Sequence, residues 1–193
     1  NEDYEGYSDT EKKEIIKILT IFSDYIRPQL SELIECYILL GWIDFIRAKA
    51  RFSIKIKATN PLIVNKPSLN WQNAIHPLLL LKNLSTPQKV VPLSIELNEN
   101  QKVLVVSGPN SGGKSVCLKT VGLLQYMFQC GLPIPVDDNS VCGIFERLFI
   151  EIGDEQSLEN DLSTYSSHLK NMSFFISNSD AYTLFLIDEM GSG

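Results

Sequence analysis

The sequence is poor in histidine and cysteine and has no run of basic residues. Two histidines, His76 and His168, and four cysteines, Cys36, Cys117, Cys130 and Cys142, are all that 193 residues hold. No pair of cysteines has the C-x-x-C spacing, which disfavours a metal knuckle, and scattered thiols fit a reducing cytoplasm. Neither histidine has a nearby serine nucleophile with a supporting carboxylate, so no hydrolytic triad is indicated. Each is expected to be held by neighbouring hydrogen bonds. The net charge is −6, from 17 Lys and Arg against 23 Asp and Glu. Any main surface for nucleic-acid phosphates is therefore expected outside this chain or in a local patch. Long hydrophobic runs are missing too. Leu78–Leu81, closed by Lys82, is far too short to span a bilayer, so no membrane partner is expected. Repeats, low-complexity stretches and a signal peptide are not found, and a first residue Asn1 rather than Met suggests a start internal to a longer protein.

What is there is apolar enough for a core, with 44% hydrophobic and 21% charged residues. Residues 1 to 60 read as helical. Ser8 or Asp9 is placed to cap a first helix. Apolar residues recur every three or four positions at Ile15, Ile18, Leu19, Phe22, Tyr25 and Ile26. Pro28 predicts a kink or break at Arg27, and a second run continues from Leu30 through Leu33, Ile34, Tyr37 and Ile38 to Trp42, Phe45 and Ile46. Core packing is the plain reading of this stripe. Asn60-Pro61 ends the region. Residues 61 to 193 then read as a second, α/β segment. Asn65–Asn73 is expected to be a loop, Ala74–Leu79 a short buried strand or strand end, Val90–Leu97, which alternates in its second half, an edge or half-buried strand, and Asn98–Gln101 a turn. Downstream, Ser115–Gln129 is predicted helical with Val116, Val121, Leu124 and Phe128 inward, ended by Gly131. Leu148–Ile152 reads as a strand, Leu158–Ser177 as mainly helix, and Tyr182–Glu189 as a strand.

One stretch organises the second segment. The apolar run Val103–Val106, expected to be a strand, leads into Gly108-Pro109-Asn110-Ser111-Gly112-Gly113-Lys114-Ser115, and helix-like sequence follows. This is the G-x-x-x-x-G-K-[ST] spacing of a phosphate-binding loop. Glycines let several backbone N–H groups turn toward one phosphate, and the helix N-terminus adds partial positive charge. Lys114 can reach the β- and γ-phosphates, and the Ser115 hydroxyl can ligate Mg²⁺. Chance matches arise in on the order of 1% of chains this long at ordinary residue usage. A nucleoside triphosphate with Mg²⁺ is the expected ligand pair.

Two further groups complete the reading. The strand ending in Asp188-Glu189 supplies a carboxylate, Asp188, that holds Mg²⁺ from one ligand shell out, and a base to orient and deprotonate water, Glu189. The hydroxyl-rich stretch Asp161–His168 fits two roles equally by spacing: an N-cap with a polar first turn, or a γ-phosphate sensor built on Ser163 and Thr164. Val90 and Val91 are candidates to face adenine, although aliphatic residues there are more often plain core.

Taken together, the loop, Leu118-Lys119-Thr120-Val121-Gly122, Ile152-Gly153-Asp154-Glu155-Gln156-Ser157 and Leu162-Ser163-Thr164-Tyr165-Ser166-Ser167-His168 resemble the MutS family of ATPases. The last two point to its second-paralogue branch, whose members often end in a Smr nuclease domain. Ile26-Arg27-Pro28 and Asp44–Arg51 are similar to that branch's lever helices, and His76-Pro77 sits where the family enters its ATPase domain. The resemblance implies helical levers (1–60) preceding the first part of an ABC-type P-loop ATPase (61–193). It implies a homodimer in which Asn110 reads the γ-phosphate together with Ser163 and Thr164 of the opposite subunit. Branched DNA in recombination suppression, or stalled and collided ribosomes, are the implied partners. Two features depart from the family. An aromatic residue is common near Val90, and the family motif continues beyond the point where this chain stops at Gly193. The whole protein is thus expected to hydrolyse ATP and the present chain weakly or not at all, with any nuclease in a domain beyond it. Another class stays open: a nucleotide-binding structural module without significant turnover, its helices a docking surface. An ABC transporter subunit is disfavoured because Leu-Ser-Gly-Gly-Gln is absent.

Overall fold

A computed structural model of the chain describes residues 2–83, 89–109, 112–152 and 161–188, with side chains described outside 2–8 and 161–167. The chain divides into two units, residues 1–50 and 51–193. The first contains α1 (Glu2–Ile26), a 3₁₀ turn (Arg27–Gln29) and the greater part of α2 (Leu30–Lys55). Proline explains the interruption: Pro28 occupies the first turn of the 3₁₀ segment, where its missing N–H costs nothing, and Leu30 N–H closes the turn on Arg27 O. The helix begins at Glu2, so Ser8 and Asp9 lie inside it rather than capping it.

The expected core packing of the helical stripe is corrected. Phe22 and Ile38 are 59% and 53% exposed, and Ile15, Leu19, Leu33, Trp42 and Phe45 are open to a similar degree. Amphipathic spacing tells which residues share a face, and what covers that face is a separate matter. Local contacts are modest: Trp42 meets Phe45 edge-on at 6.2 Å, and Lys49 Nζ lies 4.8 Å over the Phe45 ring.

The second unit is α/β, with a mixed sheet and a parallel pair of strands. The sheet runs in the order β1 (Leu62–Val64), β4 (Val141–Gly143), β2 (Leu69–Ala74), β3 (Leu93–Leu97). β1 and β4 are parallel, and the other two pairings are antiparallel. β5 (Arg147–Glu151) and β6 (Thr183–Ile187) form the separate parallel pair, in register from Arg147–Thr183 to Glu151–Ile187. Three helices complete the unit: α3 (Pro77–Asn83), α4 (Lys114–Gln129) and α5 (Asp161–Asn178). One core cluster joins Leu69 and Trp71 of β2, Val121, Leu124 and Met127 of α4, and Leu184 and Leu186 of β6.

Several expectations change here. Asn65–Asn73 is not all loop: alternation of Leu69 and Trp71, both fully buried, with Asn70 and Gln72 builds β2. A register shift between Trp71 and Ala74 absorbs Asn73, whose φ is +52°. Of the buried strand or strand end expected over Ala74–Leu79, Ala74 is the buried end of β2, while α3 takes over at Pro77, which fixes the helical φ at the first position. The edge strand is confined to Leu93–Leu97, after Pro92. The turn at Asn98 is present, its Oδ1 accepting from Asn100 N–H and Gln101 N–H at 2.9 Å each. Val103–Val106 is not a strand: no described strand pairs with it, and Val103 and Val105 are exposed. Valine favours extended backbone, but a strand also requires a partner ladder. Val116 is exposed too, since the buried stripe of α4 starts at Thr120.

Candidate functional site

The loop–helix junction is built on Gly113. It precedes α4 in a left-handed conformation, φ +84°, which side chains with a Cβ adopt only under strain. Gly113, the N-cap, has no side chain to cap α4. Among the described residues the N–H groups of its first turn meet no capping side-chain oxygen, the arrangement that suits an anion. Within the loop, Gly112 N–H donates to Pro109 O at 2.9 Å, and Lys114 Nζ donates back to Gly108 O at 2.6 Å. Asn110 and Ser111 lie outside the described residues.

α4 is laid close to the parallel pair by Gly122. A Cβ there would come within 3.0 Å of Leu186 Cδ1 and 3.1 Å of Ile150 Cδ1. That approach brings the first turn of α4 to the end of β6. Ser115 Oγ donates to Asp188 Oδ2 at 2.6 Å across 73 residues of sequence, with both side chains half-buried. Asp188 is fixed from its backbone as well, its N–H donating to Glu151 O at 2.8 Å. A hydroxyl and a carboxylate oxygen converging this closely make a hard-oxygen pair, the donor chemistry Mg²⁺ takes alongside waters and phosphate oxygens. The residues present thus fit a magnesium nucleotide. Among the described residues no group of three or more His, Cys, Asp and Glu converges as a metal site.

The remaining expected site residues are only partly placed. Ser163 and Thr164 lie in the first turn of α5, their side chains outside the described residues, as is Glu189 altogether. Val90 and Val91 precede β3 on the mixed sheet, and Val91 is 86% exposed. His76 is held by hydrogen bonds: its Nδ1 accepts from Leu79 N–H at 3.5 Å and its carbonyl from Leu80 N–H at 2.9 Å, opening α3. Burial lowers its pKa, partly offset by a backbone hydrogen bond.

Sequence reasoning passed over Glu151. Its carboxylate lies 3.3 Å from His168 Nδ1 and accepts from Asn171 Nδ2 at 3.1 and 3.0 Å, joining the end of β5 to α5. Lower on the same helix, Phe175 stacks on Phe149 at 4.6 Å, with Phe174 and Phe185 around them. A carboxylate at a strand end and a histidine in a polar helix turn carry no spacing signal that would pair them.

Comparison with known proteins agrees with this geometry. The family model described as MutS domain V matches residues 104–193. "Endonuclease MutS2" of Finegoldia magna is 46% identical over 95% of this chain and 23% of its own length. Proteins of the same name from Lactiplantibacillus plantarum and Caldanaerobacter subterraneus subsp. tengcongensis are 44% and 42% identical over 95% of this chain. The chain therefore spans less than a quarter of the length of these relatives. With the glycine-rich loop, its serine hydrogen-bonded to the strand-end aspartate, and this similarity along almost its whole length, the chain belongs to the MutS family and is a piece of a MutS2-type protein.

Proposed function

We propose that this chain supplies the phosphate-binding half of a composite ATP site that closes against a second subunit. The observation that carries the reading is the 2.6 Å hydrogen bond between Ser115 Oγ and Asp188 Oδ2, which joins the loop to the strand-end carboxylates. In this reading Gly108–Ser115 hold the phosphates through backbone N–H groups, and Lys114 leaves Gly108 O for the β- and γ-phosphates. Ser115 and Asp188 hold Mg²⁺, which when bound neutralises charge on the phosphate oxygens. Glu189 orients the attacking water and takes its proton. Asn110, with Ser163 and Thr164 of the partner copy, reads the γ-phosphate, and Val90 and Val91 flank the adenine. The sheet and helices form the first part of an ABC-type P-loop ATPase (61–193), preceded by lever helices (1–60).

The whole protein then couples ATP-driven dimer closure to nucleic acid, either branched DNA in recombination suppression or ribosomes that have stalled or collided, in the cytoplasm. Among the described residues no helix is long and apolar enough to cross a membrane. The exposed apolar faces of α1 and α2 favour one alternative, a nucleotide-binding structural module whose helices serve for docking. Glu189→Gln in the full-length protein separates the two. The ATPase reading expects retained ATP binding, turnover reduced about 100-fold or more as for loss of a general base, and trapped nucleotide. Unchanged turnover would remove Glu189 from its role. Recovery of rRNA or DNA with the trapped protein identifies the partner.

A further inference from the structure

A chain of contacts leaves the Ser115–Asp188 pair and ends on α5. Ser115 Oγ–H bonds Asp188, Asp188 N–H bonds the Glu151 carbonyl, and the Glu151 carboxylate receives both Asn171 Nδ2 and His168 Nδ1. Glu151 and Ile187 are register partners at the ends of β5 and β6, so this carboxylate sits one residue away from the site's aspartate. A carboxylate only accepts, so His168 presents an Nδ1–H to it. The His168 and Glu151 side chains are 22% and 21% exposed, which shields the contact more than the exposed i,i+3 pairs of α1.

α5 is thus fastened at two heights. Its C-terminal half is set by Phe174 and Phe175 against Phe149 and Phe185, a greasy contact that permits tilt. Its middle is set by Glu151 through directional hydrogen bonds to His168 and Asn171. His168 and Asn171 lie about one and two turns along the helix from positions 163 and 164. We propose that Glu151, with His168 and Asn171, is a positioning clamp that sets the first turn of α5 according to the state of the Ser115–Asp188 pair. Its effect falls on turnover rather than on nucleotide affinity. The loop and Lys114 hold ATP whether or not α5 is aligned, whereas a composite transition-state site requires alignment. The proposal rests on the ATPase reading above.

The test is made on the full-length protein, measuring steady-state ATPase and the binding of a fluorescent ATP analogue. Glu151→Leu and Asn171→Leu are each expected to lower kcat about tenfold while the analogue's Kd stays within twofold. The double variant is expected to be no worse than either single one, because both remove the same contact. Glu151→Gln keeps an acceptor oxygen and is expected to retain at least half of kcat. Asn171→Asp, a surface change facing Glu151 with a like charge, gives a second route should the leucine variants fold poorly; it too is expected to lower kcat at constant Kd. Wild-type kcat in the leucine variants and Asn171→Asp, or Kd rising in step with falling kcat in them, overturns the clamp. Lys114→Ala, run alongside, separates the two claims. If it abolishes analogue binding while the clamp variants turn over normally, only the clamp fails; if it binds as wild type does, the site reading fails and the clamp with it.

Discussion

Trp71 Nε1–H donates to Cys142 Sγ at 2.9 Å, a bond between neighbouring strands β2 and β4 made inside the core. Both residues are fully buried. The thiol's pKa is pushed up to about 11 by burial, against the smaller lowering effect of the indole N–H. Because the thiolate is the reactive form, Cys142 is expected to resist alkylation at pH 8, while exposed Cys36 and Cys130 react at ordinary rates. Mass spectrometry of time-resolved labelling reads each site separately. Labelling of Cys142 as fast as Cys130 in the folded chain would contradict the core described here. Trp71→Phe, which removes the donor and part of the ring, is expected to cost roughly 1–3 kcal/mol in chemical denaturation.

His76 gives a pH signature. Burial lowers its pKa in the folded chain below the unfolded value of about 6.5. Between those two values the unfolded chain binds more protons than the folded one, so stability falls as pH drops. The charged ring also loses the Nδ1 lone pair that accepts Leu79 N–H. Thermal melts of wild type and His76→Asn between pH 7.5 and 5.5 isolate this contribution from the carboxylates. The difference in stability between the two proteins is expected to shrink toward low pH, and a constant difference would count against it.

Gly122 tests the approach of α4 to the parallel strands. Alanine brings a helix-propensity gain of up to about 1 kcal/mol, set against tight contacts with Leu186 and Ile150 at 3.0 and 3.1 Å. Leu186 is buried and has little room to yield, so the two effects are expected nearly to cancel. Valine adds two methyl groups at the same point, and overpacking of roughly 1–3 kcal/mol is expected. Guanidinium unfolding of the three proteins checks the order: glycine and alanine close together, valine clearly lower.

The left-handed turn at Gly113 and the start of α4 at Lys114 were legible because their information is local, set by a glycine next to helix-forming sequence. Asp188 was legible as the end of an apolar strand, and the break at Pro28 followed from one missing N–H. What escaped depends on partners distant in sequence. β2 carries its alternation among asparagines that suggest a loop, and only burial of Leu69 and Trp71 against α4 makes it a strand. Val103–Val106 has strand composition but no described ladder partner. Leu78–Leu81 has the composition of a strand yet forms helix behind Pro77. Glu151 looked like an ordinary strand residue, since its meaning lies in His168 and Asn171, 17 and 20 residues away.

β6 buries alternate residues, Leu184 and Leu186, and a period of two is blind to a slip of two. Such a slip would keep Leu184 and Leu186 facing inward, yet carry Asp188 roughly 6.5 Å along the strand direction and out of reach of Ser115. The hydrophobic core alone therefore does not determine where Asp188 sits relative to Ser115. The site acts as the vernier of the fold: the hydrogen bonds of Asp188 to Ser115 and Glu151 select one alignment among those that burial leaves nearly equal.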